Sequence, residues 1–114
     1  MSEVKSITPK ELYELSQKGE KPYVVDVRQL EELLDKRSVL VASHNPLETF
    51  DPEDLSDHKA SPIYFICRSG RRSYVAAAEC LPYGFSDLYN VEGGTLEWEA
   101  SGLPTKSGPL DGDL

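Results

Sequence analysis

The stretch Pro62-Ile63-Tyr64-Phe65-Ile66 is apolar on both of its alternating faces, and Ser73-Tyr74-Val75-Ala76-Ala77-Ala78-Glu79, shortly after it, reads as a helix. A strand without a polar side has to be covered from above and below. That requirement points to a parallel sheet with helices on both faces rather than a one-sided antiparallel sheet. Six residues join the two runs: Cys67-Arg68-Ser69-Gly70-Arg71-Arg72. A turn of this kind, leaving a buried strand and opening a helix, converges backbone N–H groups on one point, and the helix N-terminus adds partial positive charge. Three arginines reinforce that field. A thiol with a pKa of about 8.5 in water is expected to ionise more readily there.

The remainder of the chain repeats the alternation. Thr8-Pro9-Lys10-Glu11 carries an N-cap, a proline in the first turn and the glutamate of a capping box, and the helix it starts ends near Gly19. Pro22 to Val27 reads as a buried strand, and Gln29 to Lys36 as a helix with Leu30, Leu33 and Leu34 on one side. Val39 to Ala42 is expected to be a third strand, and Asp51-Pro52-Glu53-Asp54 starts a short helix. Pro82 and Gly84 end the helix that follows Cys67, Leu88 to Val91 is the last clear strand, and Thr95 to Ser101 the last helix. Strands separated by helices predict an α/β fold of three layers, with a central parallel sheet of about five strands and helices on both faces. Ligands of such sheets bind at the carboxyl ends of strands, and Cys67 lies at one.

Composition narrows the class of partner. A chain of 114 residues holds one domain, and a net charge of −8 argues against nucleic acid and against an anionic membrane. No apolar run approaches the roughly 20 residues that span a bilayer, and the first residues lack the pattern of a signal peptide, so a cytoplasmic location is expected. Residues 1–106 are expected to form the domain, with 107–114, rich in Gly and Asp, as a disordered tail. Two cysteines make neither a disulfide framework nor a zinc site, and no metal or cofactor is expected. Cys80 reads as a buried structural residue and Trp98 as a core anchor. His44 and His58 are most simply solvent-facing loop residues. Asp26 and Arg28, at a strand end, are expected to brace adjacent loops.

Three blocks taken together resemble a known family. Val24-Val25-Asp26-Val27-Arg28 with Glu32, then Cys67 to Ser73, then Tyr89-Asn90-Val91-Glu92-Gly93-Gly94 with Trp98 and Gly102-Leu103-Pro104, resemble the single-domain rhodaneses, a sulfurtransferase family, from Ile7 to about Pro104. One region departs: where the family commonly has Gly-His-Ile-Pro-Gly-Ala, this chain has Arg37-Ser38-Val39-Leu40-Val41-Ala42. The resemblance implies a ping-pong transfer of sulfane sulfur. Cys67 takes sulfur from a small anionic donor such as thiosulfate, becomes a persulfide, and yields it to cyanide or a thiol. A persulfide-carrying protein is a further partner the resemblance admits, and a monomer is the expected state. The backbone of Arg68, Ser69, Gly70, Arg71 and Arg72 would cradle the sulfur, with Arg68 and Arg71 attracting an oxyanionic donor and Arg72 closing the loop. Gly93 and Gly94 would let backbone approach the cysteine loop.

Two other readings use the same residues. A rhodanese-like domain can serve as a binding or regulatory module without catalysis. A cysteine-dependent phosphatase or arsenate reductase places an arginine six positions after its cysteine, and here that position is Ser73, with Arg72 one short of it.

Overall fold

Residues 3–110 are described by a computed structural model of the chain. Five parallel strands, β1 (Val4–Ile7), β2 (Tyr23–Asp26), β4 (Val41–His44), β5 (Ile63–Ile66) and β6 (Leu88–Val91), form one sheet in the order β1-β6-β5-β2-β4. The middle strand, β5, is buried at every position, as its unbroken apolar run requires. Alternate side chains feed two cores. Val25, Ile63, Phe65 and Leu88 meet Ala76, Ala77 and Cys80 of α3 (Arg71–Cys80), together with Leu55 from the 3-10 helix Pro52–His58. On the other face Val24, Tyr64, Ile66 and Val91 meet Leu12 of α1 (Pro9–Gln17), Leu33 of α2 (Leu30–Asp35) and Trp98 of α4 (Gly94–Ala100). The three-layer α/β architecture expected from the sequence is the one observed.

Local signals account for the elements. Thr8 Oγ1 accepts the Glu11 N–H at 3.1 Å while Glu11 accepts the Thr8 N–H at 2.9 Å, the reciprocal capping box read from the sequence. Trp98 is wholly buried, and its indole N–H donates to the Pro104 carbonyl at 2.7 Å, so the anchor carries no unpaired donor.

Three expectations are corrected. The third strand runs over Val41–His44 instead of Val39–Ala42, because Arg37–Ser38 is drawn into a separate two-strand ladder: β3 (Arg37–Ser38) pairs antiparallel with β7 (Thr105–Lys106). Ser38 Oγ then caps the Leu40 N–H at 3.1 Å, turning the chain before β4 begins. This is the region that departs from the Gly-His-Ile-Pro-Gly pattern. The histidines are also partnered: His44 Nε2 donates to the Arg28 carbonyl at 2.7 Å, and His58 stacks on Tyr23 with ring centroids 3.8 Å apart.

Of the tail expected to be disordered, residues 107–110 are placed. Ser107 Oγ donates to the Asp35 carbonyl at 2.8 Å, the Gly108 N–H donates to the Leu34 carbonyl at 2.7 Å, and Leu110 packs on the core around Leu33 and Trp98. Arg37, only 3% exposed, donates to the carbonyls of Gly108 and Pro109. Residues 111–114 of that tail lie outside the described residues.

Candidate active site

Cys67 directly follows the central strand, at its carboxyl end, and is 1% exposed. The chain then turns through Arg68, Ser69 and Gly70 into α3. Gly70 has φ +104°, left-handed backbone that a side chain rarely tolerates, and a Cβ there would lie 3.4 Å from the Gly93 nitrogen. With that turn in place the Gly70 N–H donates to Cys67 Sγ at 3.1 Å, and the Ser73 hydroxyl reaches the same sulfur at 3.2 Å. Burial by itself pushes the Cys67 thiol up. The Ser73 hydroxyl and the N–H groups of Ser73, Gly70 and Ser69 outweigh it, and the net shift is downward.

A second layer of contacts fixes this turn. Asn90 on β6 donates through Nδ2 to the Gly70 carbonyl at 3.0 Å and accepts the Ser73 hydroxyl at Oδ1, 2.5 Å away. From behind, the first turn of α4 holds the loop: the Thr95 N–H and hydroxyl both donate to the Cys67 carbonyl, at 2.8 and 3.1 Å, and the Leu96 N–H to the Arg68 carbonyl at 3.1 Å. The approach is so close that a Cβ on Gly94 would lie 2.4 Å from the Cys67 carbonyl oxygen. Gly93 and Gly94, both at positive φ, therefore serve the backbone approach that the sequence suggested.

The arginines divide into two kinds. Arg72 forms a two-pronged ion pair with Glu32 of α2, at 2.8 and 3.0 Å, and that guanidinium holds the Glu32 carboxyl down to about 2. Arg28 grips Asp26 through Nε and Nη2 in a buried pair, and also donates to the Lys36 carbonyl at 2.8 Å. These two pairs brace the loop and α2 rather than offering charge to a ligand. Arg68 and Arg71 are exposed, and their side chains make no hydrogen bond or ion pair with any described residue. Arg68 borders a polar cleft of about 270 Å³ with Arg28, Glu32, Lys36, Leu96 and Glu99. The positive field expected from three loop arginines is thus presented by two, and hydrogen bonds are the leading causes that lower the thiol. Ser73 and Asn90 are the site residues that sequence reasoning missed: both lie in blocks that resemble the family, but their contact with the sulfur and the turn is made only by the fold.

Cys67, Arg68, Ser69, Gly70, Arg71 and Arg72 come together as one loop; Gly93 and Gly94 stand behind it, and Asp26 and Arg28 lie beside it through β2. A sulfur at a strand end, ringed by donors and held by a glycine-backed turn, is the arrangement on which the comparisons bear. The sequence matches the Rhodanese-like domain over residues 8–101. The chain belongs to the rhodanese-like family. It is 32% identical over 104 residues to the thiosulfate sulfurtransferase GlpE of Pseudomonas savastanoi pv. phaseolicola, an alignment that covers 89% of this chain and 92% of that protein. It is 31% identical over 108 residues to the Synechocystis protein slr1261, covering 92% of this chain but only 59% of that longer protein. Among solved structures, the rhodanese-like domain protein of Staphylococcus aureus superposes with a TM-score of 0.73 at 30% identity, covering 83% of this chain and 91% of that one. Among the described residues of this rhodanese-like chain, no helix is long and apolar enough to cross a membrane.

Proposed function

We propose that this rhodanese-like domain is a sulfurtransferase that carries sulfane sulfur as a persulfide on Cys67. The observation that carries this reading is the cluster of donors around a buried sulfur whose acidity they raise. A thiolate is the nucleophile such a transfer needs, and a buried one is held ready without a metal or a general base.

In the first half-reaction the Cys67 thiolate attacks the outer sulfur of thiosulfate. A new S–S bond forms, the donor's own S–S bond breaks, and sulfite leaves with the electron pair. The product, Cys67–S–S⁻, has its charge on the terminal sulfur. In the second half-reaction a nucleophile, cyanide or a thiolate, attacks that terminal sulfur, and the Cys67 thiolate departs as leaving group. Arg68 and Arg71, unpaired and exposed at the loop, supply the attraction for an oxyanionic donor. Arg72, engaged with Glu32, keeps the loop closed. A small donor and acceptor, or a persulfide-carrying protein, meet the site in water, and the working unit is a monomer in the cytoplasm.

A phosphatase reading fits less well. The sixth position after the cysteine holds Ser73, a residue wholly buried on the sulfur, and the neighbouring Arg72 is turned to Glu32. The test is intact mass after incubation with thiosulfate in the absence of reductant, beside the Cys67→Ser variant. A gain of one sulfur in the native chain alone is the expected result. No gain in a folded chain whose Cys67 still alkylates would overturn thiosulfate as donor and favour a binding role.

A further inference from the structure

Ser73 has one hydroxyl proton and two acceptors for it. Its oxygen lies 3.2 Å from Cys67 Sγ and 2.5 Å from Asn90 Oδ1. The orientation of the Asn90 amide is fixed independently. The atom facing the Gly70 carbonyl must be the amide nitrogen, because a carbonyl only accepts, and this leaves Oδ1, an acceptor, toward Ser73. A hydroxyl cannot donate to both at once. When Cys67 is a thiol, a complete chain exists: S–H donates to Ser73 Oγ, and Ser73 O–H donates to Asn90 Oδ1. When Cys67 is a thiolate, the stronger acceptor is the charged sulfur, and the hydroxyl turns toward it.

We propose that Ser73 and Asn90 form a hydroxyl relay, with Asn90 as a positioning residue whose Oδ1 accepts the Ser73 O–H hydrogen bond whenever Sγ carries no charge and yields it when charge returns. The inference rests on the persulfide reading for its place in a cycle. On forming Cys67–S–S⁻ the negative charge leaves Sγ for the terminal sulfur, and Sγ becomes a neutral divalent atom that accepts hydrogen bonds weakly. The O–H then rotates to Asn90 Oδ1. No proton leaves the site in this rotation, and no bond between heavy atoms changes. When the acceptor attacks the terminal sulfur, charge builds again on Sγ as the leaving group, and the Ser73 hydroxyl swings back to stabilise it. Asn90 also sets the geometry of the swing, since its Nδ2 holds the carbonyl of Gly70, the same residue whose N–H donates to the sulfur.

The charges around this trio come from several elements. Arg68 and Arg71 lie on the loop and the start of α3. Arg72 is paired with Glu32 of α2, and the Asp26–Arg28 pair follows β2. Glu92 lies two residues beyond Asn90, exposed. None of them shares a hydrogen bond with the Ser73 or Asn90 side chain.

The relay makes a signed prediction that needs no sulfur donor. The pH midpoint of Cys67 alkylation by iodoacetamide is measured in the native chain, Ser73→Ala, Asn90→Ala and the double variant. Cys80 stays silent, being fully buried with its thiol pushed up to about 12. Ser73→Ala is expected to raise the midpoint by about one pH unit in the native background. In the Asn90→Ala background, where nothing competes for the hydroxyl, the same substitution is expected to raise it by about half a unit more. An equal or smaller shift overturns the relay and leaves Asn90 only a holder of the turn.

Should Asn90→Ala fail to fold, the native chain carries the test. The Asn90 side-chain amide resonances are expected to titrate with the Cys67 midpoint, and to move less than half as far in Ser73→Ala. Resonances that do not respond to Cys67 ionisation overturn the proposal. Persulfide formation with an additive cycle would sink the relay and keep the sulfurtransferase reading. A non-additive cycle in a chain that gains no sulfur would keep the relay at the thiol and sink that reading.

Discussion

The two cysteines stand at opposite ends of one helix and are equally hidden from water, Cys67 at 1% and Cys80 at 0% exposure. Their chemistry runs in opposite directions. Cys80, at the last turn of α3 among Ala76, Ala77 and Leu88, is pushed up to about 12 by burial and by the neighbouring Glu79. Cys67 suffers the same desolvation, yet donors from the turn and from Ser73 carry it the other way. Burial therefore does not decide whether a cysteine is inert. What decides it is whether the surrounding backbone is folded so that N–H groups point at the sulfur, and that is the work of a left-handed glycine and a helix start.

The largest break in the comparison comes from exchanging the sulfur. Cys67→Ser is expected to abolish both alkylation and persulfide formation, whereas Cys80→Ala keeps Cys67 alkylation within about twofold of native, because none of the donors on the Cys67 sulfur involves Cys80. Rates of iodoacetamide labelling followed by intact mass distinguish these outcomes. Equal loss in both variants would remove the contrast. Next in size is Gly94→Ala, which forces a methyl group to within 2.4 Å of the Cys67 carbonyl oxygen. The atoms it meets are backbone of Cys67 and Arg68 and not the end of a flexible side chain, so unfolding in urea should show a loss of about 3 kcal/mol or more. A stability near native would mean that the backing of the loop is looser than these contacts describe.

Cys80→Ala removes a buried sulfur from the core and should cost about 1–2 kcal/mol in the same measurement. The smallest effect is expected from Glu32→Gln. The Glu32 carboxyl is held at about 2 against an ordinary 4.5, so its pair with Arg72 stabilises the fold above pH 4.5 and that contribution is lost as pH falls toward 2. Because both side chains are partly solvated, the loss at neutral pH should be about 1 kcal/mol or less. The native and variant stabilities should converge near pH 2. Curves that stay parallel through that range would assign the effect to packing and not to the ion pair.

The parts of the molecule legible in the sequence are those governed by short-range rules. The capping box at Thr8, the doubly apolar strand before Cys67, the glycine in its turn and the paired glycines near α4 each declare themselves within a few residues. What could not be read depends on partners far along the chain. Glu32 lies 40 residues from Arg72, and Asn90 17 from Ser73. The β3–β7 ladder joins two pairs of residues with no strand pattern of their own, and Arg37 finds its carbonyl acceptors 71 and 72 residues away. The edge strand β1 gives little signal because Val-Lys-Ser-Ile is short and its middle is exposed. Arg72 lies in the loop as the sequence indicates, but its charge is already engaged with Glu32, and a sequence does not show which cation is paired.

The strand order has a consequence for the chain as it is made. β5 is synthesised with β2 already present on one side, but its other neighbour is β6, and β1 finds its partner only there, with Val4 opposite Leu88. Asn90 and Thr95, which fix the cysteine turn, arrive with that same late segment. Until it clears the ribosome, the nascent chain carries Cys67 without the asparagine and α4 contacts that hold its donors in place. The cysteine turn is therefore completed only once β6 and α4 exist, and a polypeptide interrupted before residue 90 would lack the Asn90, Thr95 and Leu96 contacts on it.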